Sequence, residues 1–396
     1  MPGGLQNNGK VAALPLSAGG GGGISVIYAL GTGAHEAVCK SFNPRTPLRG
    51  IPERGRFYLG YLSSGKDGDE ALVRFMDAGE SPYAVESVEI NTHGGEAAVE
   101  TVLEILKRGG AGIISRGAAL LDAVRRGALH PVAAEARWLL PSAETKTAAA
   151  MLIAQEKLLP PVFDALAAGG KTDIGGLLEK GRRASACTRP RRVLIAGRPN
   201  AGKSSLMNAI LKSDRVLVDA APGTTRDLVE ETAVLDDVAI VLMDSAGIRP
   251  DARGVEKIGV ARAEIEKSHA DLVLYIADRS LEFNSEDRSN IAGLDDLRTI
   301  LVLSKSDLPG RLDAGKFGGR AQCVVSAKTG EGLGELSVRM ADALFGSCGG
   351  DSIVNEPAPF SDRHIEILKS AVPDRPEILK NLVSIERIGE YHGWET

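Results

Sequence analysis

The chain has only four cysteines in 396 residues, Cys39, Cys187, Cys323 and Cys348, and no two of them share a C-x-x-C spacing. That scarcity excludes a disulfide framework and a cysteine-ligated metal module, and it predicts a reducing compartment. Long apolar runs are missing too. No stretch reaches the roughly 18 residues that a membrane span needs, so no membrane association is expected. The glycine-rich start, "SAGGGGGISVIYALG", has no positively charged lead into an apolar core. This argues against a secretory signal and for a cytoplasmic protein. Nor is positive charge in excess. The formal net charge is -5, so the molecule is not a basic nucleic-acid coat, and any RNA contact has to come from a local patch.

What is present fits a soluble globular protein: 43% hydrophobic and 25% charged residues. The length exceeds what one typical core fills, so two or three domains are expected. Residues 1–112 read as an α+β domain. "ISVIYAL" is a strand, "RGRFYLGYLSS" with "EALVRFMDA" suggests an antiparallel pair, and "SVEINTHGG" is a strand running into a glycine turn. In "EAAVETVLEILKRGG", Val99, Val102, Leu103 and Leu106 follow the spacing of an amphipathic helix, which Gly109 and Gly110 terminate. Residues 113–190 are alanine-rich and helical, with Pro141 expected to kink or split the clearest helix. "AAGGKTDIGG" reads as a loop, and "KGRRASACTRPRR" as a basic, solvated linker into the next domain.

From Arg191 the pattern changes. "RVLIAG", "LVEETAVL", "VAIVLMD", "DLVLYIAD", "TILVLS" and "QCVVS" alternate with helical segments over residues 191–346. Six strands separated by helices predict a mostly parallel sheet with helices on both faces. Residues 347–396 read as a glycine-rich break and one or two helices.

Five short signatures lie along this sheet. "RVLIAGRPNAGKSSLMNAIL" places G-x-x-x-x-G-K-[ST] between a strand and a helix, the context a phosphate loop requires. Backbone N–H groups from Gly197 through Asn200, Ala201 and Gly202 to Lys203 would cradle phosphates at the helix N-terminus, with Ser205 beside them. Lys203 would reach the β- and γ-phosphates, and Ser204 would ligate Mg²⁺. "GTTRD" follows, with Gly223, Thr224 and Thr225, the last completing the Mg²⁺ shell. "LMDSAG" ends a strand, giving Asp244 as the outer-sphere Mg²⁺ partner and Gly247 as a γ-phosphate contact. "SKSD" then offers Ser304, Lys305 and Asp307, and "SAKTGEGL" offers Ser326, Ala327 and Lys328. A glycine turn before a helix explains the first motif alone. It does not explain five motifs in order, each at the C-terminal end of a strand. Asp307 would pair with guanine N1–H and the exocyclic amine. The fold class is thus an α/β P-loop GTPase domain.

Two positions depart from the usual pattern of such domains. Ser304 stands where N-K-x-D has asparagine, which predicts a loss of about 1 kcal/mol in nucleotide affinity but not of binding. Ile248 follows the glycine of D-x-x-G, where many GTP-hydrolysing switches carry the glutamine that orients water.

With "GRPNAGKSSLMN", "GTTRD", "DSAGIR", "VEKIGV" and "SAKTGEGL", the chain resembles the MnmE/TrmE family of tRNA-modification GTPases. Upstream, "SVEINTHGGEAAVETVLEILKRGGA" is similar to the end of that family's folate-binding, dimerising N-terminal domain, and "HPVAAEARWLL" to the start of its helical domain. The resemblance implies a G domain inserted in a helical domain, here shortened to residues 113–190 and 347–396. It implies K⁺ held by Asn200 with Asp219, Ala221 and Thr224, mainly through backbone carbonyls, and a homodimer in which two G domains face each other. It also implies that Glu256, with Lys203 and Gly247, is catalytic, and that Glu256 orients the attacking water in place of a residue at 248. A tetrahydrofolate derivative, tRNA and an MnmG-type flavoprotein are the further ligand and partners it implies, in wobble-uridine C5 modification.

The chain departs from the family at Asp219 and Pro222, in "YAVES" at Tyr83–Ser87, and in ending "ERIGEYHGWET" without the family's terminal Cys-[Ile/Leu/Val]-Gly-Lys motif. "HGG" (His93, Gly94, Gly95) reads equally as a folate contact or a tight turn. Two alternatives therefore stay open: a paralogous regulatory or ribosome-assembly switch that no longer modifies tRNA, and a GTP-binding scaffold with little hydrolysis.

Overall fold

Alternation of side chains along two central strands divides the first half of the chain into two buried faces. In the computed structural model the described residues are 11–16, 22–46, 53, 55–213, 230–244, 270–292, 294–295, 298–318, 321–346, 349–371 and 376–394. They group into two units: Met1–Trp138 with Phe163–Gly170 and Arg375–Thr396, and Leu139–Val162 with Lys171–Asp374.

The first unit is built on a seven-stranded sheet of order β3-β4-β5-β6-β2-β1-β7. Its strands are β1 (Ala12–Pro15), β2 (Ile24–Leu30), β3 (Phe42–Pro44), β4 (Phe57–Ser64), β5 (Asp67–Met76), β6 (Ser87–His93) and β7 (Gly112–Ile113). β4 and β5 form the expected antiparallel pair, in register from Phe57 opposite Arg74 to Ser64 opposite Asp67. Because successive side chains point to opposite faces, Ala13 and Ile27 join one core and Leu14 and Tyr28 the other. The first core is closed by α1 (Ala34–Cys39) and α2 (Glu96–Arg108). In α2 the buried stripe is Val99, Val102, Ile105 and Leu106, so Ile105 takes the place expected of Leu103. The second core is closed by α3 (Arg116–Arg125) and α4 (Pro131–Leu139), and also by Ile388 and Trp394 from the end of the chain. Ser115 caps α3 by accepting from the Ala118 N–H at 3.1 Å.

The second unit holds a six-stranded sheet of order β13-β12-β11-β8-β10-β9. The strands are β8 (Arg191–Gly197), β9 (Glu230–Leu235), β10 (Val238–Asp244), β11 (Leu272–Asp278), β12 (Thr299–Ser304) and β13 (Ala321–Val324). All neighbours are parallel except the β9–β10 hairpin. That hairpin turns on Asp236 and Asp237, both at positive φ, as a two-residue turn matching strand twist requires. β11 is buried at every position, as a central strand covered on both faces must be.

Helices before and after this sheet in sequence are tied together. Gln155, in the helix Lys146–Leu158, donates to the carbonyls of Ile353 (2.9 Å) and Glu356 (2.8 Å) and accepts from the Ala358 N–H at 3.0 Å. The G domain is therefore an insertion within helical structure. Pro141 does interrupt its helix, which passes into a 3₁₀ turn over Leu140–Ser142.

Two expectations are overturned. The basic run from Lys180 is not a solvated linker, and "AAGGKTDIGG" is a loop only up to Asp173. A helix spans Ile174–Thr188, capped by the Asp173 carboxylate, and buries Arg183, Ser185, Ala186 and Cys187. The positive charges of the basic run are answered by carboxylates remote in sequence. Arg183 pairs with Asp236 at 2.5 Å, Arg189 with Asp271 (2.9 Å) and Asp362 (2.7 Å), and Arg191 with Asp362 (3.2 Å). Sequence-local charge density misleads here because the compensating groups lie on other elements.

Candidate functional site

β8 lies between β11 and β10, so the loop leaving its C-terminal end emerges where crossovers diverge to either side of the sheet, the usual ligand position in open α/β folds. Gly197 starts this loop at φ +145, and a Cβ there would lie 2.3 Å from the Ile276 carbonyl oxygen, so only glycine fits. Asn200 takes φ +63, turning the chain back toward the helix Lys203–Ser213. Lys203 is 8% exposed, and its ammonium donates to the carbonyls of Gly197 (3.0 Å) and Arg198 (2.8 Å) across the mouth of the loop. Ser204 and Ser205 are exposed in the first turn of that helix, and the Ser204 hydroxyl donates to Oδ2 of Asp244 at 2.8 Å. Residues 40 positions apart in sequence, one on the helix that follows β8 and one at the end of the adjacent parallel strand β10, thus present a hydroxyl and a buried carboxylate side by side. That donor set of hard oxygens suits Mg²⁺.

The other end of the site is built on the loops that follow β12 and β13. Ser304 is 5% exposed, and its hydroxyl lies 2.6 Å from the Ala201 carbonyl and 3.2 Å from that of Ala277. The short serine side chain therefore still joins this loop to the phosphate loop. Lys305 reaches the Asn200 carbonyl at 3.1 Å. Asp307 is exposed and accepts from the Ser326 hydroxyl at 2.8 Å, which aims its carboxylate. Ser326 is itself fixed, its N–H donating to the Glu331 carbonyl at 2.9 Å and its hydroxyl accepting from the Thr329 N–H at 3.2 Å. Ala327 and Lys328 follow it, half-buried and exposed.

Gly197, Asn200, Ala201, Gly202, Lys203, Ser204, Ser205, Asp244, Ser304, Lys305, Asp307, Ser326, Ala327 and Lys328 thus belong to strand ends, loops and helix starts at one edge of the sheet. Asp219, Ala221, Gly223, Thr224, Thr225, Gly247, Ile248 and Glu256 lie outside the described residues.

Sequence reading missed Asp278. It ends the apolar strand β11, and its carboxylate accepts from Lys305 at 2.6 Å. The signal was available: a lone carboxylate closing an apolar strand, as Asp244 closes β10. Burial pushes the Asp278 carboxyl up, but hydrogen bonds from Lys305 and Ser280 outweigh it and hold it below its usual range. Arg198, within the phosphate loop, was also passed over. It pairs at 3.1 Å with the buried Asp287, which the Tyr275 hydroxyl also reaches at 3.1 Å.

In the first unit, "HGG" makes a close crossing. A Cβ on Gly94 would lie 1.6 Å from the Gly22 carbonyl oxygen, and the Gly94 N–H donates to the Gly23 carbonyl at 2.9 Å. His93 is exposed and its Nδ1 lies 2.8 Å from Oδ1 of Asp69. Tyr83 of "YAVES" is buried rather than presented at the surface, and burial pushes its hydroxyl up to about 12.

Among the described residues no helix is long and apolar enough to cross a membrane. Residues 192–305 match the family profile described as a 50S ribosome-binding GTPase, and residues 10–119 that of the N-terminus of the GTP-binding protein TrmE. The chain is 34% identical to a tRNA modification GTPase MnmE of Roseiflexus sp. over 83% of its own length and 80% of the relative's. It is 33% identical to the enzyme of that name from Thermus thermophilus, over 87% and 84%. Among solved structures, the G domain of the T. maritima FeoB iron transporter matches 39% of this chain and 99% of its own, at 26% identity and a TM-score of 0.31.

Proposed function

The chain belongs to the MnmE family of tRNA modification GTPases, and from that premise we propose that it couples GTP hydrolysis at the edge of the six-stranded sheet to tRNA modification. It is a GTP-binding hydrolase that works with Mg²⁺.

In this reading Asp307, aimed by Ser326, selects guanine, and the backbone from Gly197 to Lys203 holds the phosphates. Lys203 exchanges its two carbonyl partners for β- and γ-phosphate oxygens. Ser204 and Thr225 would hold Mg²⁺, with Asp244 behind them, and the ion would supply charge neutralisation at the phosphates. Gly247 bonds the γ-phosphate and Glu256 orients water, since Ile248 has no hydrogen-bonding group. Asn200, with Asp219, Ala221 and Thr224, would hold K⁺, which supplies the positive charge that an arginine finger supplies in other GTPases. The closed, γ-phosphate-ordered state would drive domain movement rather than donate atoms to RNA. A homodimer, an MnmG-type flavoprotein partner, a folate one-carbon donor and a cytoplasmic location belong to the same reading.

The observation that carries it is the pairing of Ser204 with Asp244 at one end of the site and of Ser326 with Asp307 at the other, 2.8 Å in each case. Two measurements test it. Turnover should be faster in KCl than in NaCl and should collapse in Glu256→Ala; equal rates in both salts with an unaffected variant would end the catalytic account. Expression in a strain lacking the modification enzyme should restore the modified wobble uridine by mass spectrometry of tRNA nucleosides. Absence of that nucleoside from a strain with normal GTPase activity would point to a switch that no longer modifies tRNA.

A further inference from the structure

Ser304 removes the carboxamide that usually ties the base-recognising loop together, yet Lys305 beside it sits at φ +61, a region sparsely populated by residues with a Cβ. Something must hold it. The Lys305 carbonyl accepts from the Leu308 N–H at 3.0 Å, closing a turn that carries Asp307, and the Ser306 N–H donates to the Val325 carbonyl at 3.0 Å. The orientation of Asp307 therefore depends on where Lys305 is fixed.

Asp278 is placed to fix it. Its Oδ1 is taken up by Ser280, accepting from the N–H at 2.9 Å and the hydroxyl at 2.7 Å. That leaves Oδ2 facing the Lys305 ammonium at 2.6 Å. The Asp278 side chain is 7% exposed and that of Lys305 36%, so the carboxylate is the anchor and the lysine the arm. The same ammonium touches the Asn200 carbonyl of the phosphate loop. One carboxylate thus sets the base loop against the phosphate loop. If Asp278 only capped the Ser280 turn, a single oxygen would suffice and the second would need no partner cation.

We propose that Asp278 is a positioning residue for guanine recognition, holding Lys305 so that the Lys305–Leu308 turn presents Asp307 to the base in a chain whose Ser304 cannot do this through a carboxamide. The inference rests on the reading of this loop as the guanine end of the site.

The test uses the full chain and fluorescent N-methylanthraniloyl nucleotides. Asp278→Asn, which keeps volume and shape, should raise the dissociation constant for the GDP analogue about tenfold, the value of one charge-assisted hydrogen bond. It should also shrink the preference for the GDP over the IDP analogue, because a misaimed Asp307 loses its hold on the exocyclic amine. Lys305→Met should do the same, and the double variant should be no worse than either single one. Ser280→Ala, which loosens the carboxylate without removing it, should give a smaller change in the same ratio. A purely structural defect would weaken both analogues equally. Asp278→Asn with unchanged affinity and selectivity, or losses that multiply in the double variant, would overturn the proposal. Failure of the unmodified protein to bind the GDP analogue would instead overturn the guanine reading itself.

Discussion

The Ser204 hydroxyl donates to the Asp244 carboxylate across 2.8 Å, joining the helix after the phosphate loop to the end of β10. Asp244 is 6% exposed and Ser204 is exposed, so the pair has a dry side and a side open to ligand. A buried carboxylate behind a ligating hydroxyl acts as an outer partner of a metal. Loss of such a partner weakens metal affinity by about 10- to 100-fold. Asp244→Asn should accordingly raise the Mg²⁺ concentration for half-maximal GTP hydrolysis by about that factor. A Mg²⁺ titration superimposing on that of the unsubstituted protein would place the metal elsewhere.

Ser304 answers part of the question its sequence raises. Its hydroxyl, buried against the Ala201 and Ala277 carbonyls, performs the tie between loops but has no hydrogen left to donate to the base. Ser304→Ala should therefore weaken GDP binding by about 1–2 kcal/mol, because a buried carbonyl partner is lost and not replaced. Titration calorimetry reads this directly, and an alanine variant that binds GDP as tightly as serine would show that the tie is idle.

The G domain is legible because its chemistry is local: among the described residues each motif begins at or just after a strand end, and strand order then brings these motifs to one edge. The carboxylate at 278 is visible as the end of an apolar strand, but its role is not, since what matters there is a partner 27 residues away on the neighbouring strand's loop. The basic segment failed for the same reason. Arg183, Arg189 and Arg191 look like a solvated run until folding brings Asp236, Asp271 and Asp362 beside them. Ile388 and Trp394 were equally hidden, because nothing local says that the end of the chain completes the core of its beginning.

His93 offers a pH prediction. Its hydrogen bond to Asp69, and then the charge of that carboxylate, raise its pKa above the ordinary 6.5. On Asp69, burial acts upward, but hydrogen bonds from Thr92 and His93 outweigh it and lower that carboxyl. A group whose folded pKa is raised contributes stability that is complete below its unfolded value and is lost as pH rises through the folded value. The His93–Asp69 ion pair should therefore be complete below the ordinary histidine pKa and be lost as pH rises through the raised folded value. An NMR titration should find His93 changing charge at higher pH in the native chain than in Asp69→Asn. Identical midpoints would mean that the pair does not form in solution.

Trp394 is 1% exposed in the second core of the first unit, and it is let in by Gly117, the second residue of α3. A Cβ on Gly117 would lie 2.9 Å from both Cα and Cβ of Trp394, backbone as well as side chain, so the contact cannot be relieved by a rotamer change. Two effects of known size then compete in Gly117→Ala. Helix propensity favours alanine by about 1 kcal/mol, whereas forcing a methyl into a filled site costs about 1–3 kcal/mol. With Trp394 in place overpacking should win, and the variant should melt at lower temperature than the native protein. Trp394→Ala alone should cost about 3–5 kcal/mol, as expected for emptying a buried indole site. Alanine at 394 keeps the Cα and Cβ that the added methyl meets, so the steric term survives in that background and Gly117→Ala should destabilise it as well. Calorimetric melting of the four proteins decides it, and a Gly117→Ala variant that melts at or above the native temperature would mean that the tail does not seat on α3.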